Sequence, residues 1–336
     1  MCVILALLAS AGLGSPAQAS TVQPGPDRDR IGIQLLEAPA SRRGDPRALR
    51  YIVDHVRPGT VIKRKIRVIN RSAERQRLEL YAAAATITRA QFTFTEGRAS
   101  NELTPWISLD RDLVDLKPGE DAQVHSTITV PETASAGERY AVIWASTKPS
   151  NRSSQITQVH RVGIRVYLHV GPGGEPPSDF TIGQITPARA PGGEPSASIA
   201  VTNTGGRALD MTGTVALSEG PAGMRAGPFD ITRGTTLAPG ESGVVSVAFP
   251  ADLPNGPWRI EATLESGMVK HTASGTITFP DPGRTGKASS LRDRLSTPLV
   301  IVGASLIAGL LALVVFGLAR RHRRSAPGVA TTPHHV

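Results

Sequence analysis

Cysteine is almost absent from this chain of 336 residues, in which it occurs once, as Cys2. Residues 1–19 combine an apolar run with the small-residue pattern Ala17-Gln18-Ala19, which is typical of a secretory signal and its cleavage site. Cleavage after Ala19 removes Cys2 together with the signal. The mature chain is therefore predicted to contain no disulfide and to carry out no thiol chemistry.

Catalytic signatures are also missing. The sequence contains no H-E-x-x-H, no G-x-S-x-G and no glycine loop of the phosphate-binding type. Its eight histidines are scattered, and no pair of carboxylates stands at a spacing that defines a site. We therefore predict a protein that is not an enzyme, with no catalytic residues, no metal site and no cofactor.

Long helical patterns are missing except near the C-terminal end. Residues 298–319 are apolar and uncharged, and as a helix they would span about 33 Å, enough for a bilayer core of about 30 Å. Four arginines follow within residues 320–324, and a basic cluster at one end marks the cytoplasmic side. This pattern predicts one transmembrane helix, with the preceding residues outside the cell and a short cytoplasmic tail.

Between these ends, alternation of apolar and polar residues predicts β-strands. The clearest example covers residues 61–70, where Ile62 and Ile66 share one face and lysines occupy the other. Arg64 interrupts this alternation, which indicates a bulge. Residues 258–265 alternate in the same way. The predicted fold class is all-β: two tandem Ig-like β-sandwich domains followed by one transmembrane helix.

The predicted layout is a signal peptide at 1–19, a flexible lead-in at 20–30, a first Ig-like domain at 31–170, a linker at 171–178, a second Ig-like domain at 179–280, a stalk at 281–297, the transmembrane helix at 298–319 and a basic cytoplasmic tail at 320–336.

Two landmarks recur in the same order in both predicted domains. The first is a strand that ends in Val-x-Asn, at residues 68–70 and 201–203. The second is a turn with the sequence Leu-x-Pro-Gly-Glu, at residues 116–120 and 237–241. We interpret them as an internal repeat of two related sandwiches. The alternative is that turns with Pro-Gly are simply common between strands.

Positive charge is concentrated in the first predicted domain. Residues 20–170 carry 23 Lys or Arg against 16 Asp or Glu, whereas residues 171–297 carry 10 against 12. The densest run lies between Arg57 and Arg77 and predicts either a surface that binds an anionic polymer or a solvated edge strand protected by charge. The candidate binding residues are Arg57, Lys63, Lys65, Arg67, Arg71, Arg75 and Arg77.

Several segments of the first domain resemble those of a known family. They are residues 56–59, the strand that ends at Asn70, the alanine-rich strand with Thr86, the Trp106 segment and residues 116–131. Together with the order of signal, two β-domains, membrane helix and basic tail, they resemble the WxL-interacting proteins of Gram-positive bacteria. The resemblance implies that the first domain binds peptidoglycan. No W-x-L tripeptide occurs here, so the chain would be the anchor for surface proteins that carry WxL-type domains.

The predicted function is therefore that of a non-catalytic protein of the bacterial cell surface, anchored in the cell membrane by a single pass. Its first domain is expected to bind peptidoglycan or an attached anionic wall polymer, and its second domain a protein partner. Nucleic acid is not expected as a partner, because the domains are exported. The alternative prediction is a pure protein–protein adaptor or scaffold whose edge strands complete a partner's sheet and which binds no wall polymer.

Overall fold

The structure, a computed structural model, describes residues 31–147 and 159–293, and these form an all-β fold. Within these ranges no α-helix occurs, and the only helical elements are 3-10 turns at Ala40–Arg42, Thr104–Trp106 and Pro221–Gly223. No helix of this part of the chain could cross a membrane. The predicted signal, lead-in, transmembrane helix and cytoplasmic tail all lie outside the described residues.

The strands of residues 31–170, which we call the first part, are β1 (Ile31–Leu35), β2 (Ile52–Val56), β3 (Val61–Asn70), β4 (Gln76–Thr88), β5 (Gln91–Phe94), β6 (Ile107–Leu109), β7 (Leu113–Leu116), β8 (Asp121–Thr129), β9 (Gly137–Thr147) and β10 (Arg161–Val170). The strands of residues 180–293, which we call the second part, are β11 (Phe180–Arg189), β12 (Pro195–Asn203), β13 (Leu209–Asp210), β14 (Thr212–Ser218), β15 (Ala226–Arg233), β16 (Thr236–Leu237), β17 (Ser242–Ala248), β18 (Trp258–Ser266), β19 (Val269–Ile277), β20 (Arg284–Thr285), β21 (Ser289–Ser290) and β22 (Arg292–Asp293).

Two sheets build the first part. A four-stranded sheet has the order β1-β3-β8-β6, and a six-stranded sheet has the order β2-β10-β9-β4-β5, with β7 also paired to β4. Strand β2 runs parallel to β10, and the other described pairings of the first part are antiparallel. Apolar side chains of both sheets form one buried core, which includes Ile66, Val68, Leu80, Ile143 and Leu168. The all-β sandwich architecture predicted from alternation is confirmed.

The second part has its own core. Nine of its strands follow one path, β20-β11-β12-β17-β15-β14-β18-β19-β22, in which β15 pairs with both β17 and β14. Strand β21 also pairs with β11, and β13 and β16 form a separate two-stranded sheet. Trp258, Ile260 and Leu264 of β18 point into this core, as their alternation predicts, and each is buried. Strand β15 was not predicted, because its Gly227 and Pro228 break the alternation that marks the other strands.

Residues 284–293 close the edges of the second part. Strands β20 and β21 pair with β11, and β22 pairs with β19. Leu291 is buried and packs in the core of the second part. Because this leucine is anchored there, much of the segment predicted as a stalk at 281–297 instead covers both sheet edges.

Arg64 does not mark a bulge, so that prediction is wrong. Strand β3 pairs with β8 in unbroken register from Val61 to Ile69. Arg64 therefore lies on the same face as Ile62 and Ile66, which is the core face. It is tolerated there because its guanidinium forms an ion pair with the buried carboxylate of Asp54. Burial raises the pKa of Asp54, and the neighbouring Arg64 opposes that rise.

The predicted repeat is reproduced hydrogen bond by hydrogen bond. Asn70 and Asn203 are both fully buried, and each side-chain amide donates to three main-chain carbonyl oxygens. The two asparagines also form main-chain hydrogen bonds to the Pro-Gly-Glu turn that follows in their own part. Glu120 and Glu241 then cap the turns, accepting from the N–H of Lys117 and of Ala238. The landmarks are thus one structural unit used twice.

Candidate functional site

Strand β10 has a partner along its full length on only one side. Its pairing with β9 runs from Arg161 to Val170, whereas its pairing with β2 starts at Val166. No other strand of the described residues pairs with residues 161–165. This half of β10, which we call the free edge, is paired on one side only within the described residues, as are the terminal strands β1, β6, β2 and β5 of the two sheets.

The free edge presents main-chain donors and acceptors outward. The N–H of Thr147 donates to the carbonyl oxygen of His160 at 2.8 Å, which fixes the phase of the ladder with β9. In an antiparallel pair, successive residues direct their polar groups alternately toward and away from the partner strand. The N–H and C=O groups of Arg161, Gly163 and Arg165 therefore point away from β9.

Side chains of the free edge divide between two faces. Ile164 is buried in the core of the first part, and Val162 packs against that core. Arg161, Gly163 and Arg165 lie on the opposite face, the outer face of the six-stranded sheet. Strand β1, at the edge of the other sheet, contacts β10 from across the sandwich. The free edge thus borders apolar core on one side and a cationic face on the other.

Aromatic rings cover that outer face. Tyr81, Phe92, Tyr140, Trp144 and Tyr167 belong to one cluster there, which is separate from the core between the sheets. Trp144 is buried, and it lies on this outer face and not between the two sheets. All four tyrosines of the chain lie on this face, Tyr51 included.

Arginines stack on these rings. The guanidinium of Arg161 lies 4.6 Å from the centre of the Trp144 ring and 5.2 Å from that of Phe94. The guanidinium of Arg165 lies 4.7 Å from the centre of the Phe92 ring. Contacts of this kind hold a cation in place without neutralising it.

Asp210 fixes one end of this face against the second part of the chain. Its carboxylate accepts hydrogen bonds from Arg47 Nε at 2.7 Å, Arg165 Nη1 at 3.1 Å, Tyr167 Oη at 2.9 Å and Thr236 Oγ1 at 2.8 Å. Three of these donors belong to the first part and one to the second. Arg165 is therefore both stacked and ion-paired. The carboxylate holds the six-stranded sheet against β13 and β16.

A second polar junction surrounds Glu175 of the linker. The buried guanidinium groups of Arg42 and Arg207 both form ion pairs with its carboxylate. Arg207 also contacts His55, whose pKa is lowered to about 3 by burial and by Arg42 and Arg207. Burial, more than the nearby charges, lowers the pKa of Arg207 itself. His55 is therefore neutral at physiological pH.

A buried carboxylate completes this junction. Glu138 Oε2 accepts from the N–H of Ala208 at 2.7 Å and from Tyr140 Oη at 2.7 Å. Burial raises the pKa of Glu138 and also that of Tyr140, which the glutamate carboxylate raises further. These shifted pKa values thus belong to groups that lie where the two parts meet. Because each group has a structural partner there, we read this region as a fixed joint.

The tip of the β4–β5 hairpin forms the third junction. Arg89 and Ala90 both have positive φ, 53° and 56°, a conformation that is unfavourable for residues with a Cβ atom. The second part holds this tip: Ala90 N–H donates to Glu241, and the Ala90 carbonyl accepts from the N–H of Thr236 at 3.0 Å and from Thr235 Oγ1. Glu241 therefore both caps its own turn and binds the hairpin tip of the first part, whereas the hydrogen bond described for Glu120 only caps a turn.

The basic residues predicted from sequence are distributed over different elements. Lys63, Lys65 and Arg67 project from the outer face of β3, while Arg71 follows that strand. Arg57 follows β2, Arg75 immediately precedes β4, and Arg77 is the second residue of β4, which belongs to the other sheet.

Several of these residues have polar partners close by. Lys65 pairs with Glu37 at 2.9 Å, Arg67 donates to Gln34, and Arg75 lies 3.4 Å from Asp115. Exposed pairs of this kind contribute little to stability. The structure gathers three of the seven predicted residues on one strand face. Their role in binding stays a prediction.

The described residues contain no group of three or more His, Cys, Asp or Glu side chains that could hold a metal ion. The aromatic face and the Asp210 junction were both missed from sequence. One sequence signal could have indicated the aromatic face: Tyr140, Trp144 and Tyr167 fall in two predicted strands that follow each other along the chain.

No family model matches the chain, and no curated protein matches it. Among solved structures, the chain is similar to the E. coli chaperone DraB, with 13% identity over 72% of this chain and 94% of that one, and a TM-score of 0.37. It is similar to a Salmonella enterica structure of SafA pilin with the SafB chaperone (10% identity, 73% and 96% covered, TM-score 0.38). It is also similar to the CsuC–CsuE chaperone–tip subunit complex of Acinetobacter baumannii (11%, 68% and 96%, TM-score 0.35). Values this low transfer no activity or ligand to this chain.

These findings contradict the resemblance to the WxL-interacting proteins, since no family model matches and the similar structures named here are pilus chaperones. The predicted binding of peptidoglycan or an anionic wall polymer, and the predicted WxL-type partners, are corrected with it. The physical reason is that the segments behind the resemblance build the sandwich. The turn at 116–120, for example, serves the buried asparagine. A similarity in such segments indicates a shared fold and does not indicate a shared ligand.

The predicted single-pass location in the cell membrane is contradicted by the same comparisons. The described residues form no helix that could span a membrane. Residues 298–319, which carried that prediction, lie outside them.

Proposed function

We propose that this chain is a non-catalytic protein-binding adaptor that pairs a strand of its partner with the free edge of β10. The two parts would act as tandem Ig-like domains, at 31–170 and 179–280, joined by the linker at 171–178. The observation that carries the proposal is the difference between the two ladders of β10, one of which ends at Val166. Two of the solved structures named above contain a chaperone together with a pilus subunit, which agrees with a protein partner, but the proposal rests on this edge.

The energetics of strand addition favour this role only with side-chain contacts. The N–H groups of Arg161, Gly163 and Arg165 and the carbonyls of the first two offer about five main-chain hydrogen bonds, which together contribute roughly 2.5–7.5 kcal/mol. The Arg165 carbonyl is already used by the first residue of β2. Ordering five residues of a partner strand costs about 5–10 kcal/mol. Side chains beside the added strand must supply the remainder, and the apolar border at Val162 is suited to this.

Amide hydrogen exchange of the free chain tests the edge itself. The amides of Arg161, Gly163 and Arg165 should exchange at least tenfold faster than those of Val162 and Ile164, which face β9. Uniformly slow exchange of all five would show that the edge is covered and would contradict the proposal.

A proline substitution tests the binding role. Arg161→Pro removes an outward N–H, while Arg161→Ala removes the same side chain and keeps the N–H. The full chain should retain one stoichiometric partner protein from its own cells, the Arg161→Ala chain should retain it partly, and the Arg161→Pro chain should lose it. Equal capture by the two variants would refute pairing at this edge.

A further inference from the structure

Arg161 has no counter-ion at the free edge among the residues that the structure describes. Arg165, the other charged residue there, is paired with Asp210 at 3.1 Å. No carboxylate within the described residues forms an ion pair with Arg161. The first part also carries the excess of positive charge, so the chain itself supplies little negative charge to this neighbourhood.

The Arg161 guanidinium is nevertheless held in position. It lies over the ring of Trp144, which is 6% exposed, and beside Phe94, which is 45% exposed. The two rings meet edge to face with centroids 4.9 Å apart. A side chain restrained in this way loses little further entropy when it forms an ion pair.

Gly163, two residues along the strand, has no side chain and so leaves room for the Trp144 ring. A Cβ atom at this residue would lie 2.5 Å from Val142 Cγ1 and 2.7 Å from Trp144 Cε3, so the indole ring occupies the space of the missing side chain. The side chains of an added strand that project on the outer face of the sheet would therefore lie next to the Trp144 indole and the Arg161 guanidinium.

We propose that the partner strand is acidic: its outward position beside Arg161 carries an aspartate or glutamate, while its inward positions are apolar and pack near Val162. This inference rests on the proposed function, because it requires strand pairing at the free edge. Charge complementarity carries it, since the excess positive charge of the first part would also steer an acidic segment toward this edge.

Synthetic peptides provide the test. The probe is a short labelled peptide of alternating valine and threonine with glutamate at its central outward position, compared with peptides that carry glutamine or lysine there. Anisotropy titrations of the full chain should give a Kd three- to tenfold lower for the glutamate peptide than for the glutamine peptide. The Arg161→Glu chain should instead prefer the lysine peptide. Lys63→Glu, which makes the same charge change on the four-stranded sheet, should keep the glutamate preference.

The outcomes separate the two proposals. Equal Kd values for the glutamate and glutamine peptides, with binding lost in Arg161→Pro, would overturn the acidic preference and leave the edge function standing. A preference that Lys63→Glu weakens as much as Arg161→Glu would also overturn it, because the cause would be the general field of the domain. No binding of any peptide would overturn both proposals.

Discussion

Replacing Asp210 by alanine removes the carboxylate that connects the two parts of the chain. Four donors would lose their acceptor together, and the most consequential is Arg47, whose side chain is 7% exposed. Arg47 Nη1 would keep its bond to the Ala208 carbonyl at 2.8 Å, so the guanidinium would stay buried after losing its ion-pair partner. Breaking a buried pair in this way costs about 3–5 kcal/mol of unfolding free energy. Asp210→Asn, which keeps an acceptor oxygen, should cost less.

Urea denaturation of the full chain measures this difference. The matched control is Asp230→Ala, an exposed carboxylate of β15 for which the described residues give no partner, and its effect should stay within about 0.5 kcal/mol. Faster hydrogen exchange around Asp210 should accompany the loss, because β13 and β16 are short strands. A loss below about 1 kcal/mol for Asp210→Ala would refute the reasoning that the buried Arg47 guanidinium depends on this carboxylate.

Other features lead to further predictions. His55 has a pKa of about 3 when folded against its usual 6.5, so only the unfolded chain takes up this proton between those values, and stability should fall as pH drops through that window. His55→Gln should make the fall shallower in urea midpoints measured from pH 7 to 4, and an unchanged slope would contradict this. Ala90→Gly should raise the unfolding free energy by about 0.5–1 kcal/mol, because glycine accepts φ of 56° without strain; a lower melting temperature would argue against a strained tip. Asn203→Ala should cost about 2–4 kcal/mol, since three carbonyl oxygens lose their donor, and Asn203→Asp should not rescue it.

Local pattern was sufficient to predict much of the fold. Alternation identified strands such as β3 and β18, because one buried face imposes a period of two on the sequence. The repeat was recognisable because each asparagine and its turn stand in fixed order. Pattern failed at β15, where glycine and proline interrupt it, and at Arg64, whose inward direction is stabilised by an ion pair with a residue of another strand.

The candidate site was beyond prediction for a different reason. The alternation of residues 161–170 predicts that they form a strand. Their pairing with β2 begins only at Val166, and this point depends on where β2, a segment distant in sequence, begins. The Asp210 junction joins residues from four separate segments, and nothing in any one of them marks the others. The basic run, by contrast, was conspicuous in sequence yet is divided between two sheets.

The closing segment of the second part has a mechanical consequence. Strands β20, β21 and β22 contain two residues each, and they border β11 and β19. Tension applied at Asp293 would separate these short pairings one after another, first β22, then β21 and then β20, before it acted on the long strands. Once Leu291 had left the core and β21 and β20 had also separated, both borders would be unpaired while the sandwich beneath stayed folded. Pulling would thus expose the outer edges of β11 and β19.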